Sequence, residues 1–113
     1  MPPKVENIAT LVAKRDIAII SLDELCEEFN LLYQAEPELI TLKNVFKEIA
    51  INYRSVKKQQ STIAEKIIES GETESDKMNA NKQIGDKVKS DYFECTERFF
   101  VYQKKSNTEK KPS

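Results

Sequence analysis

The sequence predicts an all-α protein, an antiparallel up-down-up bundle of three long helices. Apolar residues repeat at alternating spacings of three and four along three segments, which is the heptad pattern of helices that pack lengthwise as in a coiled coil. The chain has 2 glycines and 4 prolines among 113 residues, fewer turn-forming residues than a β-rich fold needs. Its apolar content of 39% and charged content of 33% suit one folded helical domain rather than a disordered chain.

The first helix is predicted over residues 4–34. Its seam, the line of residues that faces the other helices, consists of Val5, Ile8, Val12, Arg15, Ile19, Leu22, Cys26, Phe29 and Tyr33. Ser21 followed three residues later by Glu24 has the pattern of a capping box, which would start a new helix. Because the seam stays in register through Ser21, one continuous helix is preferred, and a kink or fresh start at Ser21 is the alternative.

The second helix is predicted over residues 38–70. Pro37 precedes it, as is common at a helix start, and Gly71 suits the position after its end, where a left-handed conformation is frequent. The seam residues are Leu39, Leu42, Phe46, Ile49, Tyr53, Val56, Gln60, Ile63 and Ile67.

The third helix is predicted over residues 74–104, with Thr73 or Ser75 as its cap. Its seam consists of Met78, Asn81, Gly85, Val88, Tyr92, Cys95, Phe99 and Tyr102. No apolar residue follows Tyr102, so residues 105–113 are expected to form a disordered basic tail. Residues 1–104 are then a single three-helix domain.

Residues at equal depth on the three helices should share a layer. A polar layer is expected from the seam residues Arg15, Gln60 and Asn81, which can fix helix register at a cost in stability. A second shared layer is expected from Cys26, Phe46 and Cys95. The cysteines there are interpreted as small core hydrophobes, and a regulatory disulfide is the alternative.

No catalytic chemistry is visible in the sequence. The chain contains no histidine and no tryptophan, and no glycine-rich phosphate loop or nucleophile motif occurs. The two cysteines lack a CxxC spacing. We therefore expect no enzyme activity, no catalytic residue, no cofactor, no metal site and no small-molecule substrate. Because the two cysteines form no disulfide framework, a reducing, intracellular setting is favoured, and we expect a cytoplasmic protein. The lack of a long apolar run favours a protein away from membranes.

The second helix carries a ridge of basic residues on a chain of net charge −1. The ridge is Lys43, Lys47, Arg54, Lys57 and Lys58. We interpret it as a solvated flank that pairs with acids of neighbouring helices. Sequence-independent contact with the backbone of RNA or DNA is the alternative.

Three stretches carry a resemblance to a known family: "LDELCEEFNLLY", "FKEIAINYRSVKKQQSTIAEKII" and "NKQIGDKVKSDYFECTERFFVYQKK". With the Phe29–Tyr33 pair and the block around Tyr53, this order resembles the N-terminal helical region of Gag-like polyproteins of BEL/Pao-type LTR retrotransposons, over residues 5–105. The resemblance implies the helical leader of a structural polyprotein. It implies no catalytic residue, and the Cys-His knuckles that lie further along such polyproteins have no counterpart in this sequence.

Together these observations predict a non-enzymatic interaction and assembly module. A protein partner or a second copy of the chain is the expected partner. Apolar residues away from the seams are expected to extend the core or to form a contact patch, and they include Leu31, Leu32, Ile51 and Ile68.

Overall fold

The computed structural model describes residues 7–71 and 76–109, with side chains to residue 106. Its helices are α1 (Ile8–Gln34), α2 (Leu39–Glu69) and α3 (Asp76–Glu109). The described ranges contain no strand. The predicted all-α three-helix bundle is therefore confirmed.

Helix α1 is continuous through Ser21, so a fresh helix start does not occur there. The helix begins at Ile8 because Asn7 is extended and its side-chain oxygen accepts a 2.8 Å hydrogen bond from the Thr10 amide. Asn7 is therefore not helical, although the predicted helix begins at Lys4. Residues 4–6 lie outside the described residues.

Short turns reverse the chain between helices. The α1–α2 turn places Glu36 at φ 52°, a left-handed conformation that is uncommon for a residue other than glycine. Gly71 follows the C-cap Ser70 of α2 with φ 80°, as its predicted position after the helix end requires. The proposed caps Thr73 and Ser75 lie outside the described residues.

Helix α3 continues beyond the predicted end at residue 104. Residues 105–109 are helical, so α3 extends five residues past its predicted end, while residues 110–113 lie outside the described residues. The predicted end depended on the loss of apolar residues. A helix needs only helix-forming residues to propagate, and glycine and proline, its strongest breakers, are both missing from this stretch.

The three helices form a long, thin body of 65 × 32 × 20 Å. Its radius of gyration is 18.1 Å, against roughly 13 Å for a compact domain of this length. The buried apolar core runs along the rod and consists of Leu22, Phe29, Leu42, Val45, Ile49, Val56, Ile63, Ile67, Val88, Cys95 and Phe99. All of these except Val45 are predicted seam residues, so the heptad pattern identified the buried faces.

Candidate functional site

The predicted polar residues meet in one hydrogen-bonded layer inside the bundle. Arg15 is 4% exposed, and its Nη1 donates to Gln60 Oε1 at 3.0 Å and to Asn81 Oδ1 at 2.8 Å. Its Nε and Nη2 donate to Asp16 Oδ1 at 3.1 and 2.9 Å. Four of the five guanidinium N–H groups therefore have partners, and Asp16 balances the buried charge.

A second set of bonds joins α2 to α3 within this polar layer. Gln60 Nε2 donates to the Asn81 carbonyl at 2.8 Å, and Asn81 Nδ2 donates to the Gln60 carbonyl at 3.3 Å. Gly85 permits this approach, since a Cβ on it would lie 2.9 Å from Gln60 Nε2. The layer therefore sets one position of α2 against α3, because a shift by one turn would leave buried polar groups unpaired.

The polar layer separates two different parts of the core. On one side, Ile63 and Ile67 lie apart from the main hydrophobic cluster. A partly open apolar cavity of about 350 Å³ lies there, lined by Ile8, Ala9, Val12, Ile63, Ile67, Ala80 and Ile84, with Arg15, Lys77 and Asn81 at its polar edge. The other side is rich in aromatic rings.

Phe46 occupies the centre of the aromatic part. Its ring stacks on Phe99 with centroids 4.6 Å apart and lies 6.1 Å from the Tyr92 ring. Tyr92 also stacks on Tyr53 at 4.0 Å. The ring of Tyr102 packs at 5.8 Å from Tyr33. These tyrosines pack on the core, as their seam positions predicted, and are not available as a stacking platform for nucleic-acid bases.

The two cysteines meet at the level of Phe46. Both thiols are free. The ring of Phe46 lies 6.2 Å from that of Phe29, three residues after Cys26 on α1. Phe46 contacts Tyr92 and Phe99, which lie three residues before and four after Cys95. The structure therefore places Cys26, Phe46 and Cys95 in one layer of the bundle, as their positions along the three seams predicted.

Interaction between the two thiols shifts their acidities in opposite directions. The pKa of Cys95 is lowered, chiefly by its interaction with Cys26 and secondarily by the nearby Arg98 guanidinium. The pKa of Cys26 is raised by the same interaction and by burial.

The basic ridge on α2 is exposed to solvent. All five side chains, Lys43, Lys47, Arg54, Lys57 and Lys58, are exposed. Within residues 7–71 and 76–106, no ion pair joins them to a carboxylate. The expected pairing with acids of neighbouring helices is therefore wrong for the described residues. Ile51 is 63% exposed and lies on the same face, four residues after Lys47 and three before Arg54.

The outer face of α3 was not identified by the sequence reasoning. Phe93 is 52% exposed and Phe100 is 60% exposed, and their spacing of seven residues aligns them on one stripe of α3 outside the buried seam. The Lys89 ammonium lies 5.5 Å from the Phe93 ring centre. We call the exposed residues Asp86, Lys89, Ser90, Phe93, Glu94, Glu97 and Phe100 the α3 outer face. The spacing of seven, off the seam, is the signal that could have found it.

Other apolar residues away from the seams differ in their surroundings. Leu32 packs partly buried against the core, whereas Leu31, Ile51 and Ile68 are 57–70% exposed. On α1, Ile17 and Ile20 are also more than half exposed. These residues are scattered around the rod, so the α3 outer face is distinguished by its two aligned aromatic rings.

Other kinds of site are not formed by the part of the chain that the structure describes. Within it, His, Cys, Asp and Glu side chains do not gather in groups of three or more that could hold a metal ion. No helix in the same part has the length and apolarity needed to cross a membrane. No protein-family model, curated protein or solved structure matches this chain.

Proposed function

We propose that this chain is a non-enzymatic helical interaction module that associates with a second copy of itself through the α3 outer face. The observation that carries this proposal is the pair of aligned, half-exposed rings of Phe93 and Phe100 on an exposed stripe of α3 outside the buried seam. Exposed apolar patches that are rimmed by polar residues mark interaction sites.

The composition of this face supports association. The two rings lie about 10 Å apart along the helix axis, with Ser90 and Glu97 exposed beside them. On this face Glu94 pairs with Arg98 at 2.5 Å. The exposed Asp86 and Glu97 then outnumber Lys89, which leaves a small excess of negative charge, whereas the exposed ridge of α2 is positive and includes Ile51. The α3 outer face of one copy is therefore complementary in charge to the α2 ridge of another. Such a head-to-tail contact generates rings or open assemblies.

The resemblance to the leader region of Gag-like polyproteins of BEL/Pao-type retrotransposons supports the same proposal, since those are structural polyproteins. An elongated helical rod with apolar side chains on its surface suits such a role. No catalytic chemistry is required for it.

The test is a concentration series followed by static light scattering. Wild-type protein should show an average mass that rises with concentration. In the variant Phe93→Ala/Phe100→Ala the dissociation constant should rise about 30-fold, because each half-exposed ring contributes about 1 kcal/mol on burial. The matched control, Ile17→Ala/Ile20→Ala, removes two exposed apolar residues from α1 and should associate as the wild type does. A strict monomer at high concentration would refute self-association.

A second candidate function is contact with the backbone of RNA or DNA. The observation that favours it is the exposed basic ridge, whose members Lys43, Lys47, Arg54, Lys57 and Lys58 make no ion pair within the described residues. From residue 43 to residue 58 the ridge extends about 22 Å, which is long enough to follow several phosphates.

Binding of a random single-stranded oligonucleotide tests this second candidate. If all five side chains contact phosphates, the logarithm of the binding constant should fall with the logarithm of salt concentration at a slope of about −3.5. Lys47→Gln/Arg54→Gln should reduce that slope by about 1.4. Failure to bind at about 50 mM salt, where such contacts are strong, would exclude this candidate.

A further inference from the structure

The two thiols lie where a covalent bond could join α1 to α3. Helices α1 and α3 run parallel in the bundle, and Cys26 is the nineteenth residue of α1 while Cys95 is the twentieth of α3. Both belong to or pack against the same core cluster. About one turn beyond the cysteines, Arg98 Nη1 on α3 donates to Asn30 Oδ1 on α1 at 2.5 Å. A disulfide needs two cysteines on elements that approach closely, and this pair lies in one layer of two helices that are joined at that level.

We propose that Cys26 and Cys95 are a redox-modification site, at which a peroxide converts the two thiols to a reversible intramolecular disulfide between α1 and α3. The inference is independent of the proposed self-association. Phe93 lies two residues before Cys95, which places it about 200° around the helix and on the opposite side from the thiol pair.

The chemistry of the pair supplies both a nucleophile and a resolving thiol. The thiolate is the reactive form of cysteine, and the neighbouring thiol together with the nearby Arg98 lowers the pKa of Cys95. Cys95 is 2% exposed, so a small oxidant such as hydrogen peroxide is required. Cys26 is only partly buried and gives the pair its contact with solvent.

The reaction balances with hydrogen peroxide as the two-electron oxidant. The Cys95 thiolate attacks one peroxide oxygen, the O–O bond breaks, and a sulfenic acid forms as hydroxide leaves and takes up the proton that Cys95 released. The sulfur of Cys26 then attacks the sulfenic sulfur. The S–O bond breaks, and the departing hydroxide takes the Cys26 proton to form water. In total, two thiols and one peroxide give one disulfide and two water molecules.

The bond would tie together the two helices that share the smallest interface, since α2 contacts each of them more extensively than they contact each other. It would close a loop of about 70 residues in the unfolded chain, which restricts that chain strongly. We expect the melting temperature of the oxidised protein to exceed that of the reduced protein by on the order of 10 °C.

The experiment treats the full chain with hydrogen peroxide, blocks remaining thiols in denaturant with N-ethylmaleimide, and measures intact mass. The expected product has lost two hydrogen atoms, carries no N-ethylmaleimide, and yields a Cys26–Cys95 peptide on digestion. Dithiothreitol should restore two blockable thiols and the lower melting temperature. Cys26→Ser removes only the partly buried thiol and should instead gain oxygen at Cys95.

Three results would overturn the proposal. They are two blockable thiols after oxidation, disulfides found only between chains, or oxygen added to the wild type without a crosslink. The wild-type measurement decides the question by itself, even if a variant folds poorly.

Discussion

Replacement of Arg15 by methionine tests the polar layer most sharply. Methionine retains much of the apolar stem of Arg15 but removes both hydrogen bonds to Gln60 and Asn81. Asn81 is 7% exposed, so its Oδ1 stays buried without a donor, whereas the partly exposed Gln60 amide can turn to water. Bonds from a charged donor contribute about 1.5–3 kcal/mol each, and removal of the buried charge returns part of that. We expect Arg15→Met to lower the free energy of unfolding by about 2–4 kcal/mol.

The triple variant Arg15→Met/Gln60→Met/Asn81→Leu separates a register function from a stabilising one. Replacement of every partner by apolar groups leaves no unpaired donor or acceptor, so its unfolding free energy should lie within about 1 kcal/mol of wild type. The slope of urea unfolding should fall, because an apolar layer permits more than one helix register.

Urea titrations followed by far-UV circular dichroism measure both quantities for the single and triple variants. A single substitution that costs less than about 0.5 kcal/mol would show that the layer does not couple the helices. Coupled residues should deviate from additivity. If the triple variant loses as much unfolding free energy as the three single variants together, the three residues do not act as one hydrogen-bonded layer.

Three further predictions concern stability and can be measured by thermal or urea unfolding. Asn7→Ala removes the α1 cap and should cost about 1 kcal/mol; no loss would show that the cap bond does not stabilise α1. Alanine in place of glycine inside a helix normally raises the free energy of unfolding by roughly 1 kcal/mol. Gly85→Ala should not show this gain, because its Cβ displaces the Gln60 amide. The gain should return when Gln60 is also replaced by alanine. Phe29→Ala, at a fully buried position, should cost about 3–5 kcal/mol; a cost below 1 kcal/mol would contradict the packing.

The buried faces could be predicted because helical periodicity reports directly on which residues face inward. Arg15, Gln60 and Asn81 broke the apolar pattern at matching depths, so their positions alone indicated a shared layer. Their individual hydrogen bonds could not be foreseen, because these depend on rotamers and on the space that Gly85 leaves.

Other features depend on information that periodicity lacks. The seam indicates which residues contact the core, but it does not measure helix propensity. The predicted end of α3 therefore followed the last seam residue, Tyr102, whereas the helix continues to Glu109. The left-handed Glu36 arises from the geometry of a short turn, in a sequence that offers no glycine there. Whether the α2 ridge pairs with acids depends on side-chain reach across helices, and the α3 outer face was missed because the reasoning followed only inward-facing residues.

The most direct test of the proposed function is a backbone-amide NMR titration of the wild-type protein from dilute to concentrated solution. The account predicts concentration-dependent shifts or broadening at Ser90, Phe93, Glu97 and Phe100 on the α3 outer face. It also predicts changes along the complementary α2 ridge, and little change around Ile17 and Ile20 on α1. Spectra that are identical at all concentrations, or changes confined to α1, would contradict it.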